Sequence, residues 1–125
     1  MQLVSGQKIA LNQLIQNDKK FTLRVQFKAS FDVDISSFGV GQKDKLFNDD
    51  YMTFYNQLKT PKCEVQYSQQ GNLNLFTFDL NKIDVSQTPR FVICATVAND
   101  QATMQNIQSG QIDLVNQQGE VLAIY

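Results

Sequence analysis

The stretch Phe21–Ala29 has the sequence FTLRVQFKA, and its apolar and polar side chains alternate at nearly every position. A period of two places the apolar set on one face of a β-strand and the polar set on the other. Such alternation is typical of antiparallel sheets that have one face on a core and one face in solvent. The stretch therefore predicts an antiparallel strand that is buried on one side.

Further short strands follow along the chain. Phe91–Val97 is almost continuously apolar, which predicts a strand that is buried on both faces at the centre of its sheet. Glycine in Gln117-Gln118-Gly119 suits a short hairpin connection. The remaining predicted strands are Phe31–Ser36, Tyr51–Tyr55, Cys63–Tyr67, Leu73–Leu80, Gln111–Asn116 and Glu120–Tyr125.

Helical patterns are scarce. Met1–Gln16 fits neither the strand period nor the helix period and is interpreted as a lead-in, whereas Asn99–Gln108 could form a short helix. Short strands at this spacing, without long helical periods, predict an all-β fold. The expected architecture is a two-sheet antiparallel β-sandwich with at most one or two short helical turns.

Composition excludes several classes of function. The chain has 125 residues, which suits a single domain. Its 11 basic and 12 acidic residues give a net charge of -1, so the strong positive surface of a nucleic-acid or membrane-surface binder is absent. The first residues lack a signal-peptide pattern, and no run approaches the roughly 18 apolar residues that span a membrane. We therefore expect a cytoplasmic protein.

The residues that commonly carry catalysis are also scarce. The chain contains no histidine, which removes the Ser-His-Asp triad, the Cys-His pair and most zinc sites. Cys63 and Cys94 form no CxxC pair, and in a cytoplasmic chain two free thiols are the ordinary state. A hydrolase or reductase acting on an oxyanion is the catalytic alternative, but no phosphate loop or paired-thiol motif supports it. We expect a protein that is not an enzyme.

The stretch Asp32–Pro61 holds most of the candidate ligands. Asp32, Asp34 and Ser36 share one face of the predicted strand, and calcium prefers several oxygen ligands of this kind. An EF-hand is excluded, because its sixth position would be Ser37 and its twelfth Lys43. Two interpretations stay open. Asp32 and Asp34 are either the solvated face of a strand or part of an oxygen cluster completed by other side chains of the stretch, namely Asn48, Asp49, Asp50 or Asn56.

Two motifs resemble a known family. Phe31–Phe38, FDVDISSF, is similar to the D-x-D-x-S-x-F run of the TerD family of tellurium-resistance and stress-response proteins. Asp50–Gln57, DYMTFYNQ, is similar to its aspartate-aromatic-x-x-F-Y-N-Q block, the more specific of the two. The opening MQLVSGQKIAL, the segment Phe78-Asp79-Leu80 and the final Leu122-Ala123-Ile124-Tyr125 also resemble the family. The likeness extends over nearly the whole chain.

The resemblance implies a cytoplasmic, non-enzymatic β-sandwich that binds calcium. It assigns Asp32 and Asp34 as metal ligands, with Asp50 and Asn56 as ligands or site-shaping residues. One departure bears on affinity: the family's acidic loop before the V-D-L strand is replaced here by Ser68–Asn72, which has no acidic residue. Because fewer anionic ligands remain, we expect weak calcium binding at one site.

The resemblance also implies two further strands beyond Tyr125. We therefore expect a single TerD-like domain over residues 1–125 that is either shortened or part of a larger protein. An incomplete sandwich leaves open strand edges, which favour a protein partner or self-association. Family precedent suggests a von Willebrand A module or other Ter proteins as partners. The alternative function is a metal-independent protein interaction module that uses those edges.

Overall fold

A computed structural model describes residues 1–28, 33–97 and 109–125. They form one short helix, α1, and eight strands, with 3-10 turns at Gln42–Asp44 and Asp49–Tyr51. Their bounds are α1 Leu11–Ile15, β1 Lys20–Lys28, β2 Val33–Val40, β3 Met52–Thr53, β4 Val65–Gln70, β5 Leu73–Asp79, β6 Arg90–Val97, β7 Ser109–Asn116 and β8 Val121–Ile124.

The strands form two antiparallel sheets, as predicted. The larger sheet has five strands in the order β4-β5-β1-β7-β8, and the smaller has three in the order β3-β2-β6. The alternating stretch that begins at Phe21 lies in β1, at the centre of the larger sheet. Phe21 and Val25 are buried there, whereas Gln26 is exposed, which confirms the predicted two-faced strand.

The core lies between the two sheets. Val25 and Phe76 from the larger sheet are 1% and 0% exposed, and Ile35 from the smaller sheet belongs to the same cluster. The rings of Phe78 and Phe91 meet edge to face with their centroids 5.5 Å apart. Burial of aromatic side chains of this size dominates core energetics, so these contacts hold the sheets together.

The predicted position of the apolar run Phe91–Val97 is wrong. β2 is the central strand of the smaller sheet, because it pairs with β3 on one side and β6 on the other. β6 lies at the edge of the sheet, and its Val92 is 45% exposed. The predicted burial on both faces is also wrong, because Val92 and Thr96 on the outer face are exposed. An apolar run carries no information about the number of lateral neighbours of a strand.

Two further predictions need correction. The strand expected at Tyr51–Tyr55 shrinks to Met52–Thr53, because Asn48 Oδ1 accepts a hydrogen bond from the Asp50 amide at 2.9 Å and caps the preceding 3-10 turn. The lead-in contains α1, whose Ile15 is buried in the core. The helix predicted at Asn99–Gln108 lies outside the described residues.

Two sheet edges are covered by neighbouring segments. Ile124 of β8 accepts a hydrogen bond from the Leu3 amide at 2.7 Å and donates one to the Met1 carbonyl at 2.9 Å. On the opposite edge, Tyr67 of β4 donates to the Leu58 carbonyl at 2.7 Å. Within the described residues, β6 has no strand partner on its outer side. In the same part of the chain, no helix has the length and apolarity needed to cross a membrane.

Candidate functional site

Asp34 lies near the start of β2 with an exposed side chain. Its neighbour Ile35 is 2% exposed and points into the core, so the alternation of the strand directs Asp34 to the outer face. Thr96 of β6 is the register partner of Asp34, and it is exposed as well. Asp32 lies outside the described residues. Asp34 therefore lies on the solvent face of β2, whereas Ser36 on the same face is buried.

The charge of Asp34 affects the pKa of Tyr67, a buried residue of the larger sheet. The pKa of Tyr67 is raised, first by burial and then by the negative charge of Asp34. The Tyr67 hydroxyl donates to Asn74 Oδ1 at 2.5 Å, and Asn74 Nδ2 donates to the Val25 carbonyl at 3.3 Å. The negative charge of Asp34 thus acts on a phenol that is hydrogen-bonded within the larger sheet.

Tyr67 and Asn74 are absent from the residues predicted for the site. One signal for them was present in the sequence, because Asn74 shares the core-facing side of its strand with Phe76 and Phe78. A buried amide needs hydrogen-bond partners, and Tyr67 is one of them. The sequence could not show that Asp34 of the other sheet lies near this pair.

Asp50 and Asn56 occupy different ends of the β2–β3 pair. Phe38 of β2 is the register partner of Met52 of β3. Asp34 lies four residues before Phe38, about 13 Å along the strand, and Asp50 lies before Met52 on the antiparallel neighbour. Asp34 and Asp50 therefore lie at opposite ends of the pair, and the structure does not bring their carboxylates together.

Asn56 lies nearer to the end where Asp34 is found. Phe54 and Gln57 exchange backbone hydrogen bonds of 2.9 and 3.0 Å across a tight turn, and Asn56 is an exposed residue of that turn. The turn continues β3 beyond Thr53, in the direction of the start of β2. Gln57 Nε2 stabilises the turn by donating a hydrogen bond of 2.9 Å to the Asp49 carbonyl.

The described residues meet only part of what calcium requires. They contain no group of three or more acidic or cysteine side chains with the geometry of a metal site. Calcium takes six to eight oxygen ligands, and Asp34 offers one exposed carboxylate. Ser68–Asn72 contains no acidic residue and comprises the end of β4 and a tight turn at Gly71-Asn72, with Gly71 at φ +61°. Asp34 fits a calcium site as one ligand, and further ligands would have to come from its surroundings.

A second polar cluster surrounds the buried carboxylate of Glu64, which is 2% exposed. Its Oε1 accepts a hydrogen bond from the Lys62 amide at 2.7 Å. Burial raises the pKa of Glu64, but hydrogen bonds from backbone amides and from the Thr60 and Tyr51 hydroxyls outweigh it and lower the pKa. The pKa of Tyr51 is raised by burial and by its contact with Glu64. This cluster closes the turn before β4.

The acidic residue of Phe78-Asp79-Leu80 is engaged in ion pairs. Asp79 is 7% exposed, and its Oδ2 lies 3.8 Å from Lys20 Nζ and 3.9 Å from Lys82 Nζ. The Asn81 amide donates to its Oδ1 at 3.1 Å. These contacts compensate the charge of Asp79 locally and join the end of β5 to the start of β1.

The sequence model of the TerD domain matches residues 1–125. The chain belongs to the TerD family. The search of curated proteins gave no match. The TerD domain is linked to tellurite and stress resistance.

The two sequence motifs of this TerD domain lie side by side in the smaller sheet. Residues 33–38 of the D-x-D motif form most of β2. The Asp50–Gln57 motif runs from the 3-10 turn at Asp49–Tyr51 through β3 into the turn closed by Gln57. Because β2 and β3 pair directly, the motifs form one continuous unit of the fold.

Proposed function

We propose that this TerD domain serves a cytoplasmic stress-response system by binding rather than by catalysis, and that it binds calcium weakly at the start of β2. Asp34 and Asp32 are the proposed carboxylate ligands. The observation that supports the proposal is the exposed carboxylate of Asp34 at the start of β2.

The surroundings of Asp34 support a cation there. Among the described residues, no hydrogen bond or ion pair satisfies its carboxylate. A second carboxylate lies two positions earlier in the sequence, and like charges at short range are costly unless a cation joins them. A bound calcium ion would offset that repulsion and connect the start of β2 to nearby oxygen atoms. Asn56 is the nearer of the other two predicted ligands, whereas Asp50 belongs to the far end of the pair.

Thermal unfolding of the wild type and the Asp34→Asn variant tests this site. A ligand that binds only the folded state stabilises it by RT ln(1 + [L]/Kd), or about 2.7 kcal/mol at a hundredfold excess over Kd. We expect millimolar calcium to raise the Tm of the wild type after EDTA treatment, with little effect from magnesium. Asp34→Asn should abolish the calcium response.

Glu120→Gln is the matched control, because Glu120 lies in the β7–β8 turn of the other sheet and has an exposed side chain. It should keep the full calcium response. An Asp34→Asn variant that responds like the wild type would remove Asp34 from the site.

A second candidate function is favoured by the outer edge of β6, which no strand covers in the part of the chain that the structure describes. The domain would then be a metal-independent interaction module that binds a protein partner or a second copy by strand addition. A von Willebrand A module or another Ter protein would be the external partner. Size-exclusion chromatography with light scattering in EDTA separates the candidates, because this function requires association without metal.

A further inference from the structure

We infer that β6 pairs antiparallel with β6 of a second copy of the chain, with the two-fold axis at Ile93 and two reciprocal ion pairs between Arg90 and Asp34. This inference rests on the second candidate function and identifies its partner as the same chain. The result is a continuous six-stranded sheet in the order β3-β2-β6-β6-β2-β3. Such an interface is isologous, since each copy contributes the same surface.

The composition of β6 suits pairing. From Phe91 to Val97 it contains no charged residue and no proline, the devices that natural proteins use to protect an edge strand. β8 and β4 have their edges covered by Met1–Leu3 and Leu58–Thr60. β3 has only two residues. Among the strands that the structure describes, β6 is the long edge left uncovered.

The hydrogen-bond pattern restricts the register. In an antiparallel ladder, alternate residues point their N–H and C=O groups to opposite sides of the strand. Every second residue of β6 is turned toward β2, so only the others can bond to a second copy. Two identical strands therefore pair residue with equivalent residue at the two-fold axis. Ile93 and Cys94 are the candidates nearest the middle of β6.

The charged residues near β6 favour Ile93 over Cys94 as the position of the two-fold axis. With the axis at Ile93, Arg90 of one copy lies opposite Thr96 of the other, and Thr96 is the register partner of Asp34. Arg90, Thr96 and Asp34 then lie in one row on the exposed face, with Arg90 and Asp34 two strand spacings apart, about 10 Å. The long arginine side chain spans that gap by lying over the small threonine. The two-fold symmetry produces this ion pair twice.

Arg90 is free to change partners on association. Within one chain its guanidinium contacts the carboxylate of Asp44, and the two side chains are 57% and 75% exposed. Ion pairs this exposed contribute little to stability, because water and salt screen them. Arg90 can therefore exchange Asp44 for Asp34 of the second copy with little loss of stability within each chain.

Charge reversal tests the ion pairs. Sedimentation velocity in EDTA should show a concentration-dependent dimer for the wild type. Arg90→Asp and Asp34→Lys should each shift dimerisation to higher protein concentration, because each places like charges opposite one another. An equimolar mixture of the two variants should recover a dimer, since each reversed charge then faces its opposite. Circular dichroism of each variant verifies that it is folded.

Disulfide cross-linking tests the register, in a Cys63→Ser background that leaves native Cys94. With the axis at Ile93, Val92 lies opposite Cys94 of the second copy. The Cα separation of 4.5–5.5 Å in an antiparallel pair suits a disulfide, so Val92→Cys should form a covalent dimer on mild oxidation. Thr96→Cys is the control, because its position faces Arg90, and it should remain uncross-linked.

Some results overturn the inference. A wild-type chain that stays monomeric at millimolar concentration in EDTA excludes the dimer. If the equimolar mixture of the two charge variants does not form a dimer, the ion pairs between Arg90 and Asp34 are excluded. Efficient cross-linking of Cys94 to Cys94 in the Cys63→Ser background would place the two-fold axis at Cys94 instead. None of these results depends on calcium, so the metal site and the β6 interface can fail separately.

Discussion

At the residue scale, two buried hydroxyls face each other without partners. Ser37 and Thr53 are register partners on β2 and β3, both are 0% exposed, and neither hydroxyl has a hydrogen-bond partner among the described residues. Thr60 is also 0% exposed, but its Oγ1 accepts from the Val65 amide at 2.9 Å. The chain thus offers a satisfied and an unsatisfied buried threonine.

Replacement of each threonine by valine should have opposite effects. Thr53→Val removes an unpaired hydroxyl without changing the shape of the side chain, so we expect it to be neutral or stabilising by up to about 1 kcal/mol. Thr60→Val leaves the Val65 amide unpaired in the interior and should cost about 1–3 kcal/mol. Urea unfolding of both variants measures the difference. A Thr53→Val variant as unstable as Thr60→Val would show that the Thr53 hydroxyl is hydrogen-bonded.

The buried carboxylate of Glu64 predicts a loss of stability in acid. Its pKa is lower in the folded protein than its usual value of 4.5, so its contribution is present above that value and is lost as the pH falls through the folded pKa. Glu64→Gln has no such titration. Urea unfolding from pH 7 to pH 2 should show that the wild type loses more stability than the variant. Parallel pH profiles of the two proteins would contradict this role for Glu64.

Sequence reasoning at this scale succeeded where a side chain follows the strand period. It predicted that Asp34 lies on the face of its strand opposite Ile35, because a period of two fixes the face of each residue once a core-facing neighbour is known. The same period places Glu64 on the polar face of its strand, yet the structure buries it in a set of hydrogen bonds. The bond from the Lys62 amide to Glu64 Oε1 belongs to the turn before β4, and the strand period does not record it.

At the element scale, the sequence predicted most strands but not their neighbours. β1, β5 and the β7–β8 hairpin, with Gly119 at φ +86°, follow the prediction. β6 was expected at the centre and lies at an edge, because lateral order depends on pairing between segments far apart in the chain. β3 is short because the Asn48 cap competes with the strand.

Amide hydrogen exchange should distinguish the two strands of the smaller sheet. Ser37 and Phe38 of β2 have strand partners on both sides, so their amides should be strongly protected. In dilute protein, alternate amides of β6 should exchange faster, because every second one points to the uncovered edge. NMR-detected exchange at residue resolution measures this. Uniform protection of β6 at every protein concentration would show that a segment of the same chain covers its edge.

At the scale of the whole molecule, the fold class and the family could be predicted, whereas the arrangement of the site could not. Alternation and turn spacing sufficed for two antiparallel sheets, and the motifs beginning at Asp32 and Asp50 sufficed for the TerD family. The antiparallel register then separates Asp34 from Asp50, and sheet packing brings Asp34 toward Tyr67. Both are long-range consequences of topology.

The proposed calcium site at the start of β2 can be tested by an NMR titration of the amide resonances with calcium. We predict saturable shifts centred on Val33–Ile35, extending to Tyr67 on the facing sheet and leaving Asp49–Tyr51 unaffected. Magnesium at the same concentration should cause little change. Absence of saturable shifts at millimolar calcium, or shifts centred on Asp49–Tyr51, would contradict a calcium site at the start of β2.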